Sequence, residues 1–345
     1  MVKRHGGTKA TESAVDLALQ WLAYHQEPDG HWDTMKYAAN GKVDTGLSAL
    51  ALLAFLGAGH TEKVGQYKEN VQLAVGWLKN QWKTSSGYHL AMTALALSEA
   101  AGMADIPDTR TAAQNAIDFV TEVHQQGDGS EKGAWRYGPK PPVCDISVSG
   151  WFIMALKSAK VSKLKVNQAS FEGAWNFLNK LEIKNSGPDN GYGPASRYYY
   201  TYDDGKGFIV SKHRDSAIGI LCRQFLGAKK DELQSSVELF VSDGGTPVWG
   251  DNPSRNHPCT SGGTDLYYWY YGTLAVFQQG GDVWKRWNED MKKALVVNQC
   301  KQGDNTGSWD VIGVMSERWG RVGQTALGAL CLEVYYRYLQ LTPER

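Results

Sequence analysis

This chain has no excess of charge of either sign: 36 Lys and Arg stand against 36 Asp and Glu, for a formal net charge of +0. No basic cluster longer than a pair stands out, so nucleic acid and anionic membrane surfaces are excluded as first partners. No apolar run approaches the roughly 18 residues a membrane-spanning helix needs, and Met1 to Gly7 is too short and polar for a signal peptide. A soluble chain is expected, with its compartment and oligomeric state left open. It starts and stops close to helices, which fits a domain of a longer protein. Cysteine is sparse: Cys144, Cys222, Cys259, Cys300 and Cys331 form no C-x-x-C pair, and their odd number argues against a disulfide framework. Cys259 and Cys300 both fall in Gly-rich loops, so that pairing alone stays open.

Aromatic residues are abundant instead, with 13 Trp and 17 Tyr in 345 residues. Many of them fall in loops or at helix starts. The stretch from Cys144 to Leu156 reads as an Asp145 cap followed by a helix apolar on every side, which must be buried all round. Its counterparts recur at Leu47–Leu56, Leu90–Leu97, Ala217–Phe225, Tyr267–Phe277 and Thr325–Val334. Between them lie amphipathic segments that share a short pattern, Ala18 to Leu22, Ala74 to Leu78, Ala116 to Val120 and Ala174 to Leu178, with looser copies at Ser236–Phe240 and around Leu295.

Six amphipathic-then-apolar pairs predict an all-α fold, an (α/α)6 toroid in which an inner and an outer ring of six helices form one domain over residues 1–345. Closure also accounts for the absence of polar end-capping repeats. Loops from inner to outer helices are short, as at Gly102–Pro107. Those from outer to inner helices are long, above all Ile183–Val210 and Ser242–Thr264, and long loops on a rigid scaffold carry function.

Gln26-Glu27-Pro28-Asp29-Gly30-His31-Trp32 resembles the Q-x(2–5)-G-x-W repeat of terpenoid cyclases. Gln125 to Trp135 and Gln299 to Trp309 are similar but stretched, and Gly87-Tyr88 and Gly191-Tyr192-Gly193 look like degenerate copies. Along its whole length the chain resembles the α/α-toroid superfamily of squalene-hopene cyclases and protein prenyltransferase β subunits. That resemblance implies a central cavity for an isoprenoid. The catalytic motifs of both groups are incomplete. Laid on the D-x-D-D signature of the cyclases, Asp145 takes the first position, but Ser147 replaces the protonating Asp and Val148 the next. On the prenyltransferase zinc pattern Asp265 is kept, Tyr267 stands where the Cys belongs, and Gln324 lies where a His is needed. No metal and no cofactor are therefore expected, a rearranged set from His257, Cys259 and Asp265 being the one variant to test.

The candidate site follows from the ring. Catalytic candidates are Asp145, Asp265 and His89, and ligand-binding candidates are Asp44, Trp151, Tyr198, Arg214, Asp215, Tyr267, Tyr268, Trp269 and Gln324. Most of these stand at the starts of the six inner helices, which would converge on one funnel. Three functions compete for it. The first is a terpenoid-handling protein that binds, or cyclises, an isoprenoid-like apolar ligand, with Tyr and Trp faces stabilising cationic charge. The second is a polysaccharide lyase or hydrolase working in an open cleft, where Arg197, Tyr198, His213 and Arg214 suit sugar stacking and proton abstraction beside a uronate. The third is a non-catalytic interaction domain of a larger protein. The ligand is thus expected to be a small apolar molecule or a carbohydrate.

Overall fold

The computed structural model describes residues 6–127, 132–184, 195–203, 207–209, 212–250 and 263–337. The chain divides into two compact units, Met1–Gln81 with Thr246–Pro343, and Trp82–Gly245.

In the first unit, α1 (Lys9–Tyr24), α3 (Lys68–Leu78) and α11 (Gly281–Asn298) are amphipathic, and α2 (Asp44–Gly57), α10 (Leu266–Gln279) and α12 (Ser316–Leu332) are apolar around their circumference. Helix α1 starts on Thr8, whose side chain accepts from the Thr11 amide while Thr11 reciprocates, and buries the stripe Val15, Ala18, Leu19 and Leu22. Every residue of α10 from Leu266 to Gln279 is buried, as an inner-layer helix requires. Helix α12 packs against both α2 and α10. A kink at Gly320 (φ 57°) separates its first turn from the rest. A Cβ there would lie 2.6 Å from the Tyr37 carbonyl oxygen, so the close approach of the Thr34–Tyr37 turn demands glycine.

The second unit repeats the alternation. Helices α4 (Gly87–Ala104), α6 (Ile146–Val161) and α8 (Lys212–Leu226) are the apolar set, and α6 packs against α4 on one side and α8 on the other. Helices α5 (Pro107–Asp118), α7 (Gln168–Leu181) and α9 (Lys230–Gly244) are amphipathic, with α5 continued by a π-helical turn over Phe119–His124. Two short antiparallel ribbons, β1 (Glu182–Ile183) with β2 (Arg197–Tyr198) and β3 (Thr201–Asp203) with β4 (Gly207–Ile209), decorate the connection from α7 to α8. Helix starts and ends expected from periodicity agree with these elements to within a turn or two. The last apolar segment, expected over Thr325–Val334, differs at both ends, because α12 already begins at Ser316, before the Gly320 kink, and stops at Leu332, with Val334 opening a separate four-residue turn.

Among the described residues one device recurs three times. Gln26 Nε2 donates to the Gly30 carbonyl (2.9 Å) and to the Asn70 carbonyl (3.0 Å), while Trp32 Nε1 donates to Leu22 O and the Trp32 amide to Ser48 Oγ. Gln125 does the same with Gly133 and Ser170, and Trp135 with Val120 and Ser149. Gln299 holds Gly307 and Ala14, and Trp309 holds Leu295 and Thr325. Each clamp ties one outer helix to another and to the inner helix that follows it. All three Trp are fully buried, and the clamps satisfy carbonyls at helix termini that would otherwise be desolvated without a donor.

Candidate functional site

In the second unit the starts of α4 and α6 meet. Asp145 caps α6 in an extended conformation, and its Oδ1 accepts from the Val148 amide (2.8 Å) and from Ser147 Oγ (2.8 Å). Ser147 Oγ lies 2.5 Å from the hydroxyl of Tyr88, in the first turn of α4. Two loop segments wall this corner. The Ile146 amide donates to the Tyr200 carbonyl (2.9 Å) and Thr201 Oγ1 to the Cys144 carbonyl (2.6 Å), which pins the α7–α8 connection to the start of α6. On the other side the clamp residue Trp135 is followed by Arg136, whose Nε sits 3.3 Å from Asp145 Oδ2. That oxygen is buried with no donor aligned for a hydrogen bond on it. The Arg136 guanidinium rests over the Tyr137 ring (5.7 Å), and Tyr137 tilts against Tyr88 at 6.0 Å.

The electrostatics are those of a masked acid. Asp145 is 0 % exposed, and burial pushes its carboxyl above the ordinary range against the opposing pull of the Val148 amide, Ser147 and Arg136. Burial, and next the Asp145 charge, also push the Tyr200 phenol up. Around this hidden group the rim is open: Tyr137 is 50 % exposed and the Arg136 side chain 31 %. Tyr88 is half-buried. A carboxyl of this kind keeps its proton to higher pH than a solvated one, and it is linked by hydrogen bonds to a phenol at the rim.

The remaining candidates of this unit have other surroundings. His89 is half-buried on the turn beside Tyr88, and Trp151 is completely buried in α6. Arg214 and Asp215 are buried in the first turn of α8. Tyr198 is 1 % exposed, packs against Gly219, and accepts a hydrogen bond from Arg223 Nε (3.1 Å). Burial pushes its phenol up to about 12.

In the first unit the starts of α2, α10 and α12 lie close together, joined by a hydrogen bond from the Asn40 amide to the Glu317 carbonyl and another from the Val314 amide to the Thr264 carbonyl (2.9 Å). The polar candidates there are engaged with backbone. Asp44 accepts from the amide (2.9 Å) and the hydroxyl (2.7 Å) of Thr34. Asp265 caps α10 at the Tyr268 amide (3.0 Å), and Gln324 donates to the carbonyls of Asp310 and Ile312. Tyr267 stacks on Trp319, Tyr268 meets the edge of Trp287, and Trp269 faces Trp249. The starts of α2, α10 and α12 are thus gathered in the first unit, and those of α4 and α6 in the second.

Arg136 and Tyr137 were not among the sequence candidates, and Ser147 entered only as a motif residue gone missing. A signal for Arg136 was present. The residue after each clamp Trp, namely Asp33, Arg136 and Asp310, occupies an equivalent place, and aligning the three repeats would have singled out the one cation. His257 and Cys259 lie outside the described residues, as does Gly191–Gly193, and Cys300 is a free thiol. Among the described residues no three His, Cys, Asp or Glu side chains gather to hold a metal ion, and no helix is long and apolar enough to cross a membrane.

No protein-family model matches the chain, and no curated protein does. Solved structures do. The α-1,6-mannanase of Salegentibacter sp. is 11 % identical with a TM-score of 0.65, covering 94 % of this chain and 98 % of its own. A D-mannose isomerase is 11 % identical with a TM-score of 0.64, over 95 % and 97 % of the two chains. A type II terpene cyclase from Scytonema, in complex with geranylgeranyl dihydroxybenzoate, is 12 % identical with a TM-score of 0.54, over 94 % and 97 %. At these identities the likeness establishes the fold class, an all-α α/α toroid, and leaves the chemistry to the residues.

Proposed function

We propose that this chain is a carbohydrate-active enzyme whose proton-transferring centre is Asp145 with its neighbours Ser147, Tyr88 and Arg136. The observation that carries this reading is the setting of Asp145. A buried carboxyl of raised proton affinity lies behind a rim of one guanidinium and two partly exposed phenols. Saccharides are bound by flat aromatic faces and by donors such as Arg, and their chemistry runs on proton transfer to or from oxygen or carbon. Mannose-handling enzymes among the structural neighbours raise the prior for this reading by analogy. The polar candidates of the first unit serve here as caps and loop anchors.

The test is a screen of neutral and acidic polysaccharides for new reducing ends or new double bonds. Activity that falls at least about a hundredfold in Asp145→Asn, whose fold is retained, supports the reading, that factor being the usual scale for one proton-transferring group. No turnover and no rise in melting temperature with any saccharide would remove it.

A terpenoid-handling reading rests on a different observation, the likeness to a terpene cyclase together with the place of Asp145 at the first Asp of the cyclase signature. It requires an apolar ligand to reach Asp145 past Arg136. Thermal stabilisation by squalene or geranylgeranyl diphosphate, with none from saccharides, would favour it instead.

A further inference from the structure

We infer that His124 is a positioning residue of the Asp145 site: its neutral ring holds the 136–141 loop in place, and its protonation releases that loop. This deepens the carbohydrate reading by giving the site a regulation, and it rests on that reading for the consequence for turnover alone. His124 closes the π-helical turn that continues α5, just ahead of the clamp residue Gln125. Such turns recur at functional positions. The ring is 3 % exposed and lies 4.9 Å from Phe119. Its hydrogen bond to the Gly138 backbone favours the charged ring, so the carbonyl is the acceptor, and since Nδ1 is buried with no partner, Nε2 is the donor.

The residues around the ring grip the same loop. The Lys140 amide donates to the His124 carbonyl (3.2 Å), and Gln126 Nε2 donates to the carbonyls of Lys140 (3.2 Å) and Pro141 (3.0 Å). Gly138 therefore stands between the rim residues and their anchor. Ahead of it, Arg136 lies beside Asp145, and Tyr137 packs so closely on Gly87, at the start of α4, that a Cβ added there would lie 3.2 Å from the Tyr137 Cα. When the loop leaves, Asp145 loses its cation but keeps the Val148 amide and the hydroxyls of Ser147 and Tyr200, none of which belongs to the loop.

Protonation makes Nδ1 a second donor, in a buried place that holds no acceptor for it. The elements packed on the ring are the π-helical turn, the 136–141 loop and α4. Their titratable groups are Asp118 and Glu122 at the turn, Arg136, Tyr137 and Lys140 in the loop, and Tyr88, His89 and Glu99 in α4, and none of these acts on the ring. Burial, against the bond to Gly138, pushes the imidazole below its ordinary value while the loop is docked. With the loop released, the ring is solvated and titrates at about 6.5. The hold is therefore complete above that value and weakens as pH falls through it toward the lowered one.

Hydrogen exchange of the segment 136–140 is followed by mass spectrometry in the natural protein and in His124→Gln, at about pH 7.5 and about pH 5.5, on either side of the ordinary imidazole value. Glutamine keeps a donor for the Gly138 carbonyl and does not titrate. The inference expects the ratio of natural to variant exchange to rise about three- to tenfold on acidification, one pH unit below the ordinary value being worth about a factor of ten at most. The amides of α6 should exchange equally in both proteins. A ratio that stays within about twofold, or a rise shared by α6, overturns the inference. If His124→Gln does not fold, the imidazole proton resonances of the natural protein decide. Titration of His124 below the ordinary range supports the inference, and titration at or above about 6.5 overturns it. With a saccharide that is turned over, KM should rise on acidification in the natural protein and stay level in the variant, and a KM level in both overturns the link to the site. Absence of any turnover removes the carbohydrate reading and leaves the exchange result to stand or fall by itself.

Discussion

The Gln299 side-chain amide, just past the end of α11, donates to the Ala14 carbonyl in α1 at 2.7 Å, so the last clamp of the sequence closes on its first helix. The same nitrogen holds Gly307 O at 2.8 Å, and both bonds are buried. Gln299→Leu would strand two desolvated carbonyls, at about 1–3 kcal/mol for each group left unmade. Urea unfolding of the variant should show a loss of at least about 2 kcal/mol. A loss under about 0.5 kcal/mol would mean that the clamp merely accompanies the packing of the two helices.

Gly133 sits at φ +90°, where an added Cβ would lie 2.1 Å from the backbone of Gly173, itself in helix α7. Neither backbone can retreat without breaking the Gln125 clamp. Gly133→Ala is expected to cost about 3 kcal/mol or more through strain and displacement. Gly138, a few residues on, has an ordinary φ and nothing within 4 Å of the position an added Cβ would take. Gly138→Ala is therefore the control, expected to change stability by less than about 0.5 kcal/mol.

Arg223 in α8 is 4 % exposed and engages four groups: Tyr198 Oη, Asn179 Oδ1, Glu182 Oε2 and, 4.3 Å away, the face of Trp175. Arg223→Ala removes a charge partner from Glu182 and a donor from buried Tyr198, so a loss of about 3–5 kcal/mol is expected. Lys cannot reproduce the planar fork over Trp175. Arg223→Lys should recover less than half of that loss in the same denaturation series.

Asp145 gives a pH signature with a definite sign. Its carboxyl is raised in the folded protein by burial, so the folded state holds a proton that the unfolded state releases. The stabilisation tied to that proton is complete below the ordinary carboxylate range and is lost as pH rises through the raised value. The groups facing the carboxyl are Arg136, Tyr200 and Ser147, with Tyr88 reached through Ser147. Asn at this position caps equally well and cannot ionise. The melting temperature of the natural protein minus that of Asp145→Asn should therefore increase as pH is lowered from neutrality. A difference that decreases on acidification would show an ionised Asp145 held by Arg136.

How far the sequence went can be followed at individual residues. It determined the helical alternation, because a segment such as Val148–Leu156, apolar around its circumference but for Ser149, has no stable place except between two other layers, while a stripe such as Val15, Ala18, Leu19 and Leu22 leaves one face for water. It also determined the clamp residues, since Gln, Gly and Trp recur at related spacings and the buried amide and indole must find partners. Asp145 was legible as a cap from its place before an apolar helix. What only the tertiary structure decided is which polar helix starts are occupied and which has capacity left. Asp44, Asp265 and Asp145 look alike in sequence, yet Asp44 accepts from Thr34, ten residues away, and Asp265 caps its own helix, whereas Asp145 keeps one buried oxygen with Arg136 beside it. The difference lies in contacts between loops distant along the chain, and in the dielectric those contacts create around a carboxyl, and neither is encoded in any local pattern.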